Sequence, residues 1–289
     1  MGERIIEGGI FLASLLAIVV LLGIVALLLR QGLPIFSYAP PWAFLFGTRW
    51  YPVSEPPTFG IAPFFVATLW VTAVATAVAV PVGVGCAAYL SEVARPAIRE
   101  TVKPIIELLA GLPSVVMGFI GLLILSPLIQ SMFNLNTGLS GLSAGIMLSL
   151  MSLPVIVTVS EDAMRAIPDD FRQAAYALGA TKWEVVRYVA IPAALSGIAA
   201  AIMLGIGRAI GETMTVLMIA GGALAVPVTP TVPMMPMTAA IASGIGNAVR
   251  GGLQYQALFA IGLLLFLMTL AVNLVADTVL ERQKRKFQR

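Results

Sequence analysis

Residues Ile10–Leu29 read IFLASLLAIVVLLGIVALLL, twenty consecutive positions without a charged side chain. A helix needs about 20 apolar residues to cross the hydrocarbon core of a bilayer, so the run predicts a membrane-spanning helix. The preceding residues, Gly2–Gly9, carry charges of both signs, and no small-residue cleavage site follows a short apolar core. We therefore expect a permanent anchor rather than a cleaved signal.

The composition of the whole chain agrees with a membrane protein. Of its 289 residues, 59% are hydrophobic and 11% are charged, and the mean hydropathy is +0.98. Soluble domains carry about 25% charged residues, so much of this surface must face lipid, and a soluble enzyme or a disordered chain is excluded. The chain has no histidine and one cysteine, Cys86. Imidazole catalysis, a metal site and an internal disulfide are therefore not expected.

Five further apolar runs bring the predicted spans to six. They cover approximately residues 62–90, 105–129, 139–159, 193–221 and 255–276. The expected fold is all-α, a polytopic membrane protein with six transmembrane helices. Its predicted parts are a first span with an outer collar (1–61), a main transmembrane domain (62–280) and a basic cytoplasmic tail (281–289).

Basic residues predict the orientation. The N-terminus, residues 91–104, residues 160–190 and the tail hold thirteen Lys and Arg residues, whereas the opposite loops hold three. Because positive charge is enriched on the cytoplasmic side, both termini are expected in the cytoplasm of a multi-pass protein of the cytoplasmic (inner) membrane. The net charge of +3 then reflects this asymmetry and not binding to nucleic acid.

The segment 160–190 is patterned like two short helices. An apolar face with i, i+3, i+4, i+7 spacing follows Asp169, and Gly179 comes next as a C-terminal cap. Thr181 and Glu184 then have the spacing of a capping box that begins a second helix. The residues of the first face are Phe171, Ala174, Ala175 and Leu178. Small side chains allow another protein to approach closely, although a connector lying on the membrane surface has the same pattern.

Arg208 and Glu212 are the charged residues in the middle of a predicted span. An ionisable group at that depth costs at least about 2.5–3.5 kcal/mol, so it faces protein or a water-filled path. A guanidinium can donate to two oxygens of an anion, and a carboxylate can accept a proton. Four residues apart, the two side chains would share a helix face, and a structural ion pair is the alternative. Gly197, Ala201 and Gly205, together with Gly207 and Gly211, predict close helix packing nearby.

Several segments carry a family resemblance that covers about residues 60–280. The pattern Gln173-Ala-Ala-x₃-Gly179-x₉-Val189-x-Ile191-Pro192 resembles the coupling motif of bacterial ABC importer permeases, E-A-A-x₃-G-x₉-I-x-L-P, with Gln173 in place of Glu. Three stretches are similar to phosphate importer permeases: GLPSVVMGF (111–119), SEDAMRAIP (160–168) and GRAIGETM (207–214). Residues 46–53 and 211–218 resemble the C-type subunit more than its A-type partner.

The resemblance implies the type I ABC importer permease fold and a pathway for inorganic phosphate lined by Arg208 and Glu212. It also implies a second permease subunit (the A-type paralogue), an external phosphate-binding protein and ATPase subunits. The ATPase contact would involve Gln173, Ala174, Ala175 and Gly179. Since the chain has no G-x₄-G-K-[ST] motif, ATP would be bound by the partner, and this chain would be neither an enzyme nor a cofactor carrier. The alternatives are a permease for another oxyanion, such as molybdate or sulfate, and an ion-coupled secondary transporter.

Overall fold

The computed structural model describes the backbone of residues 2–287 and the side chains of residues 6–275 and 278. Its α-helices are, in chain order, α1 (Gly2–Gly32), α2 (Pro41–Phe46), α3 (Ala62–Ala88), α4 (Pro96–Ala110), α5 (Ser114–Ile120), α6 (Ser126–Phe133), α7 (Gly141–Arg165), α8 (Asp169–Ala177), α9 (Lys182–Val185), α10 (Ile191–Ala193), α11 (Leu195–Gly211), α12 (Met214–Ile219), α13 (Met237–Ile245) and α14 (Leu253–Phe287). A 3₁₀ helix (Leu33–Ser37) and three π-helical turns (Tyr89–Val93, Gly121–Leu125, Val186–Ala190) continue some of these helices.

The polytopic helical fold is confirmed. Within the described residues, five helices are long and apolar enough to cross a membrane. They are Ile6–Ser37, Ala62–Val93, Ser114–Phe133, Gly141–Arg165 and Leu253–Val275. A sixth span is present if the pair Lys182–Ala193 and Leu195–Gly211, bent by 72°, is counted as one.

The third span starts later than the sequence predicts. Residues 96–110 form a separate helix, α4, and the span begins only at Ser114. Pro113 is the physical cause, since it has no backbone N–H and adopts an extended conformation (φ −60°, ψ 136°) before α5. Charged residues such as Lys103 and Glu107 make α4 amphipathic, unlike a lipid-embedded helix.

The contacts divide the chain into two compact units, residues 1–62 with 240–267 and residues 63–239 with 268–289. The predicted domain boundaries at 61/62 and 280/281 stay predictions, and the side chains of the tail lie outside the described residues. In the first unit the collar is ordered around a short antiparallel ribbon, β1 (Trp50–Tyr51) and β2 (Thr58–Phe59), which the sequence did not predict. Phe44 of α2 is buried in this unit, and its backbone carbonyl accepts the N–H of Ile61 at 2.9 Å.

The second unit is built around α7, which is buried along most of its length. Glycines let neighbouring helices approach it closely: a Cβ on Gly205 of α11 would lie 2.7 Å from Ile156, and one on Gly83 of α3 would lie 2.7 Å from the same side chain. Gly197 abuts Ala163, and Ala201 is fully buried. The predicted close packing is thereby confirmed for these three residues of α11 and is wrong for Gly207 and Gly211, where an added Cβ would meet nothing within 4 Å.

Candidate functional site

The fifth apolar run is broken next to its charged residues. Helix α11 ends at Gly211, and Glu212 has an extended backbone (φ −69°, ψ 132°) before the short helix α12 begins. The expectation that Arg208 and Glu212 share one helix face is therefore wrong. At this break the Glu212 carboxylate binds the next helix: its Oε1 accepts the N–H groups of Thr213 and Met214, both at 3.1 Å. Free N–H groups at a helix start require such an acceptor.

Two threonines fix the position of this break. The Oγ1 hydroxyl of Thr215, which is fully buried, donates to the carbonyl of Ser114 at 2.9 Å. The hydroxyl of Thr238 donates to the carbonyl of Glu212 at 2.8 Å. The hydroxyl at the start of α13 thus satisfies the carbonyl of Glu212 at the break, and the hydroxyl of Thr215 links α12 to α5. The sequence did not indicate either threonine.

Arg208 keeps its donors free. Within the part of the chain that the structure describes, its guanidinium forms no hydrogen bond and no ion pair within 4 Å, so the structural ion pair with Glu212 is absent. Gly207 and Gly211 flank it on α11, and a Cβ on either would meet nothing within 4 Å. Arg208 therefore lies beside an open stretch of helix, while the opposite glycines of α11 pack against α7. A half-buried cation with five free donors can bind an anion.

The predicted pair of short helices in the segment 160–190 is confirmed as α8 and α9. Gly179 lies between them in the left-handed region (φ 84°), which a side chain would strain. Thr181 and Glu184 form the predicted capping box: Glu184 Oε2 accepts the N–H of Thr181 at 2.7 Å, and Thr181 Oγ1 accepts the N–H of Glu184 at 3.3 Å. The bond from the Thr181 backbone holds the pKa of Glu184 below its ordinary value.

The apolar face of α8 is exposed. None of its residues is buried, and Phe171 and Leu178 expose 57% and 90% of their surface. Gln173, Ala174 and Gly179 are also exposed, and Ala175 is half-buried. The sequence missed two aromatic residues on the neighbouring surface, Trp183 and Tyr188, both about two-thirds exposed. Large apolar side chains in a polar loop are the signal that would have found them.

The sequence also did not predict a largely buried ion pair that joins α8 to the end of α3. Arg172 of α8 binds Glu92 in the π-helical turn after α3, with Nε at 2.9 Å and Nη2 at 2.8 Å from the two carboxylate oxygens. These bonds raise the pKa of Arg172 above its ordinary value. A second pair joins α4 to α7: Lys103 Nζ lies 2.9 Å from Oε2 of Glu161, whose side chain is fully buried. Neither pair has a sequence signal, because the partners are far apart in the chain.

Five or six potential spans, a broken helix beside an unpaired arginine and an exposed pair of short helices after α7 define a membrane transport component. Residues 79–289 match the family described as "Binding-protein-dependent transport system inner membrane component". The chain belongs to this family of inner-membrane permeases.

The curated relatives are of matching length. A "Phosphate transport system permease protein PstC" of Mesorhizobium japonicum is 36% identical over 93% of this chain and 88% of its own length. A "Probable ABC transporter permease protein YqgH" of Bacillus subtilis is 35% identical over 95% of this chain and 88% of its own. A PstC of Haemophilus influenzae is 34% identical over 84% of this chain and 82% of its own.

Solved structures support the fold. In a bacterial alginate ABC transporter in complex with an alginate pentasaccharide-bound periplasmic protein, one chain aligns with a TM-score of 0.66 at 16% identity, covering 97% of this chain and 96% of that one. A chain of the inward-facing MetNI methionine ABC transporter aligns with a TM-score of 0.58 at 20% identity, covering 75% and 93%. The type I ABC importer permease fold expected from the sequence is thereby confirmed.

Proposed function

We propose that this chain is the permease subunit of an ATP-driven importer and forms the translocation pathway for inorganic phosphate. The observation that carries the proposal is the similarity to phosphate transport permeases, which extends over most of both chains at 34–36% identity. Membership of a binding-protein-dependent family argues against an ion-coupled secondary transporter, because such transporters need no external binding protein.

Arg208 and Glu212 are the proposed pathway residues. Arg208 offers a free guanidinium whose planar donors match phosphate oxygens. Glu212 lies at the helix break, with Oε1 engaged by backbone N–H groups. Its carboxylate repels a bare dianion, and its other oxygen can accept a proton from hydrogen phosphate, which sulfate does not carry near neutral pH. Both effects favour phosphate over sulfate.

The helical pair α8–α9 is the proposed contact with the ATPase subunits. Its exposed apolar side chains include Phe171, Leu178 and Trp183, and such a patch on a loop between spans is typical of a protein interface. The predicted coupling residues lie on or just after α8: Gln173, Ala174, Ala175 and Gly179. ATP would be bound and hydrolysed by the partner, which leaves this chain without a cofactor of its own.

The remaining partners follow from the same assignment. The pathway would be completed by a second permease subunit, the A-type paralogue, and phosphate would arrive from an external binding protein. Both termini and α8–α9 would face the cytoplasm, as the distribution of Lys and Arg predicts. The exposed apolar residues of α1 would face the lipid bilayer.

Reconstitution tests this proposal. The complete complex is placed in liposomes with ATP inside and the binding protein outside, and uptake of labelled phosphate is followed. We expect uptake that requires ATP and the binding protein. Uptake that persists without ATP and is driven by an ion gradient would contradict the proposal. Uptake of labelled molybdate or sulfate in place of phosphate would show the same importer class with another oxyanion.

A further inference from the structure

We infer that Arg172 is a positioning residue for coupling, because its guanidinium attaches α8 to the ends of both α3 and α7. A displacement of α8 would thereby reach two membrane spans at once. The inference rests on the proposed function, in which α8 contacts the ATPase subunits. It adds the residue that transmits a movement of α8 to the membrane spans.

The hydrogen bonds of Arg172 use its full donor capacity. Nε and Nη2 donate to the two carboxylate oxygens of Glu92 at 2.9 and 2.8 Å. Nη2 also donates to the carbonyl of Met164 at 2.8 Å, and Nη1 donates to the carbonyl of Ile167 at 2.9 Å. The last bond, from Nη1 to Oδ1 of Asp169, measures 3.1 Å. An arginine has five N–H donors, so each donor has an acceptor.

The acceptors belong to three different elements. Glu92 lies in the π-helical turn that follows α3, Met164 lies in the last turn of α7, and Asp169 begins α8. The carbonyl of Met164 also accepts the N–H of Ile167 at 3.3 Å, so Arg172 adds a second donor at the end of α7. The other surfaces of α8 are not buried, so this side chain is a major link between α8 and the spans.

Burial makes the link rigid. The side chains of Arg172 and Glu92 expose only 15% and 6% of their surface, and the hydroxyl of Ser91 donates to Glu92 Oε1 at 2.9 Å. Bidentate pairs of arginine and carboxylate are directional, so the link fixes orientation as well as distance. A lysine at position 172 would keep the charge but would offer three donors without the planar arrangement.

The test measures phosphate imported per ATP hydrolysed in the reconstituted complex, with both rates normalised to assembled complex. The variants are Arg172→Lys, Glu92→Gln and their combination, and the control is Arg95→Lys, an exposed arginine after α3. We expect each single variant to hydrolyse ATP while its import per ATP falls about tenfold, the factor by which losing a hydrogen bond to a charged group commonly shifts an equilibrium. The double variant should be no worse than the worse single variant, and the control should be unchanged.

An unchanged import per ATP in both single variants, even with less assembled complex, would reduce the pair to a structural role and overturn the inference. Losses that multiply in the double variant would also overturn it, because the two residues would then act independently. A wrong assignment of phosphate as the substrate can be distinguished from a wrong role for Arg172, because the wild-type complex itself would then import no phosphate. If that complex imports another oxyanion, the same ratio is measured with that anion.

Discussion

Glu212 caps the helix that starts at Met214: its Oε1 accepts the backbone N–H of Met214 at 3.1 Å. Glu212 itself lies in the break between α11 and α12, outside the helix that carries Arg208, where the sequence alone suggested one continuous helix. The carboxylate therefore has a structural task that does not involve Arg208. The two charged residues can be tested separately.

Reversing the charges, Arg208→Glu with Glu212→Arg, should give an assembled complex without phosphate uptake. The native side chains of Arg208 and Glu212 form no ion pair, so the reversed variant has no such attraction to preserve. The reversal also places a carboxylate at position 208, where a cation is needed to bind the anion. Arg208→Lys should also lose most of the uptake, since an ammonium lacks the planar pair of donors. The measurement is uptake of labelled phosphate normalised to assembled complex. Full uptake by the reversed double variant would show that the native positions of the two charges are not required.

Glu212→Gln and Glu212→Ala should differ in stability. The amide oxygen of Gln can still accept the N–H groups of α12, whereas Ala removes the cap, a change that typically costs about 0.5–2 kcal/mol. Thermal unfolding of the purified complex should therefore show a lower Tm for Glu212→Ala than for Glu212→Gln. Both variants should transport less phosphate, because both lack the carboxylate. Equal Tm values for the two variants would contradict the capping role.

The sequence predicts the local features well. The capping box depends on two residues three positions apart, Thr181 and Glu184, and the turn depends on Gly179 directly after the apolar face of α8, so spacing alone defines both. The long apolar runs are equally local. The sequence did not predict the break at Glu212, because apolar residues continue beyond it and indicate one continuous span. A hydropathy pattern contains no information on hydrogen bonds that cap a helix. Arg172 and Glu92 are 80 residues apart, and only the folded chain brings them together.

Replacing Gly179 by Leu should uncouple transport from ATP hydrolysis. The residue has φ 84°, and a side chain in the left-handed region costs roughly 1–2 kcal/mol, so the turn between α8 and α9 would change. A bulky residue would also block close approach of a partner. Gly8→Leu is the matched control, because Gly8 is exposed on α1 and its missing Cβ would meet nothing within 4 Å. Wild-type uptake and ATPase stimulation in Gly179→Leu would rule out the docking role.

The capping box should make the start of α9 sensitive to acid. The pKa of Glu184 is lowered, so its stabilising contribution is present above the ordinary carboxyl pKa and is lost as the pH falls through the depressed value. Glu184→Gln should remove this dependence, because an amide does not titrate, and Thr181→Ala, which loses the hydroxyl that accepts the N–H of Glu184, should increase amide exchange in residues 182–186 at neutral pH. Hydrogen exchange corrected for intrinsic rates measures the effect, with Thr101→Ala of α4 as control, because Thr101 bonds only its own helix. Identical protection in Thr181→Ala and wild type would argue against the cap.

The orientation can be mapped with single cysteines on a Cys86-free background. The excess of Lys and Arg predicts that residues 30–60 and 222–253 face outward and that both termini face the cytoplasm. An impermeant thiol reagent added to intact cells should therefore label position 53, where Val is 90% exposed, and should not label position 175. Labelling at 175 from outside would reverse the proposed topology.

The central claim is that this chain forms a pathway for phosphate, and competition between oxyanions tests it most directly. The reconstituted complex is supplied with labelled phosphate and an excess of unlabelled sulfate or molybdate, and ATP-dependent uptake is measured. The account predicts that phosphate uptake persists in the wild type, because Arg208 binds the anion and Glu212 favours one that carries a proton. Loss of ATP-dependent uptake of labelled phosphate in the presence of excess sulfate or molybdate would contradict the account.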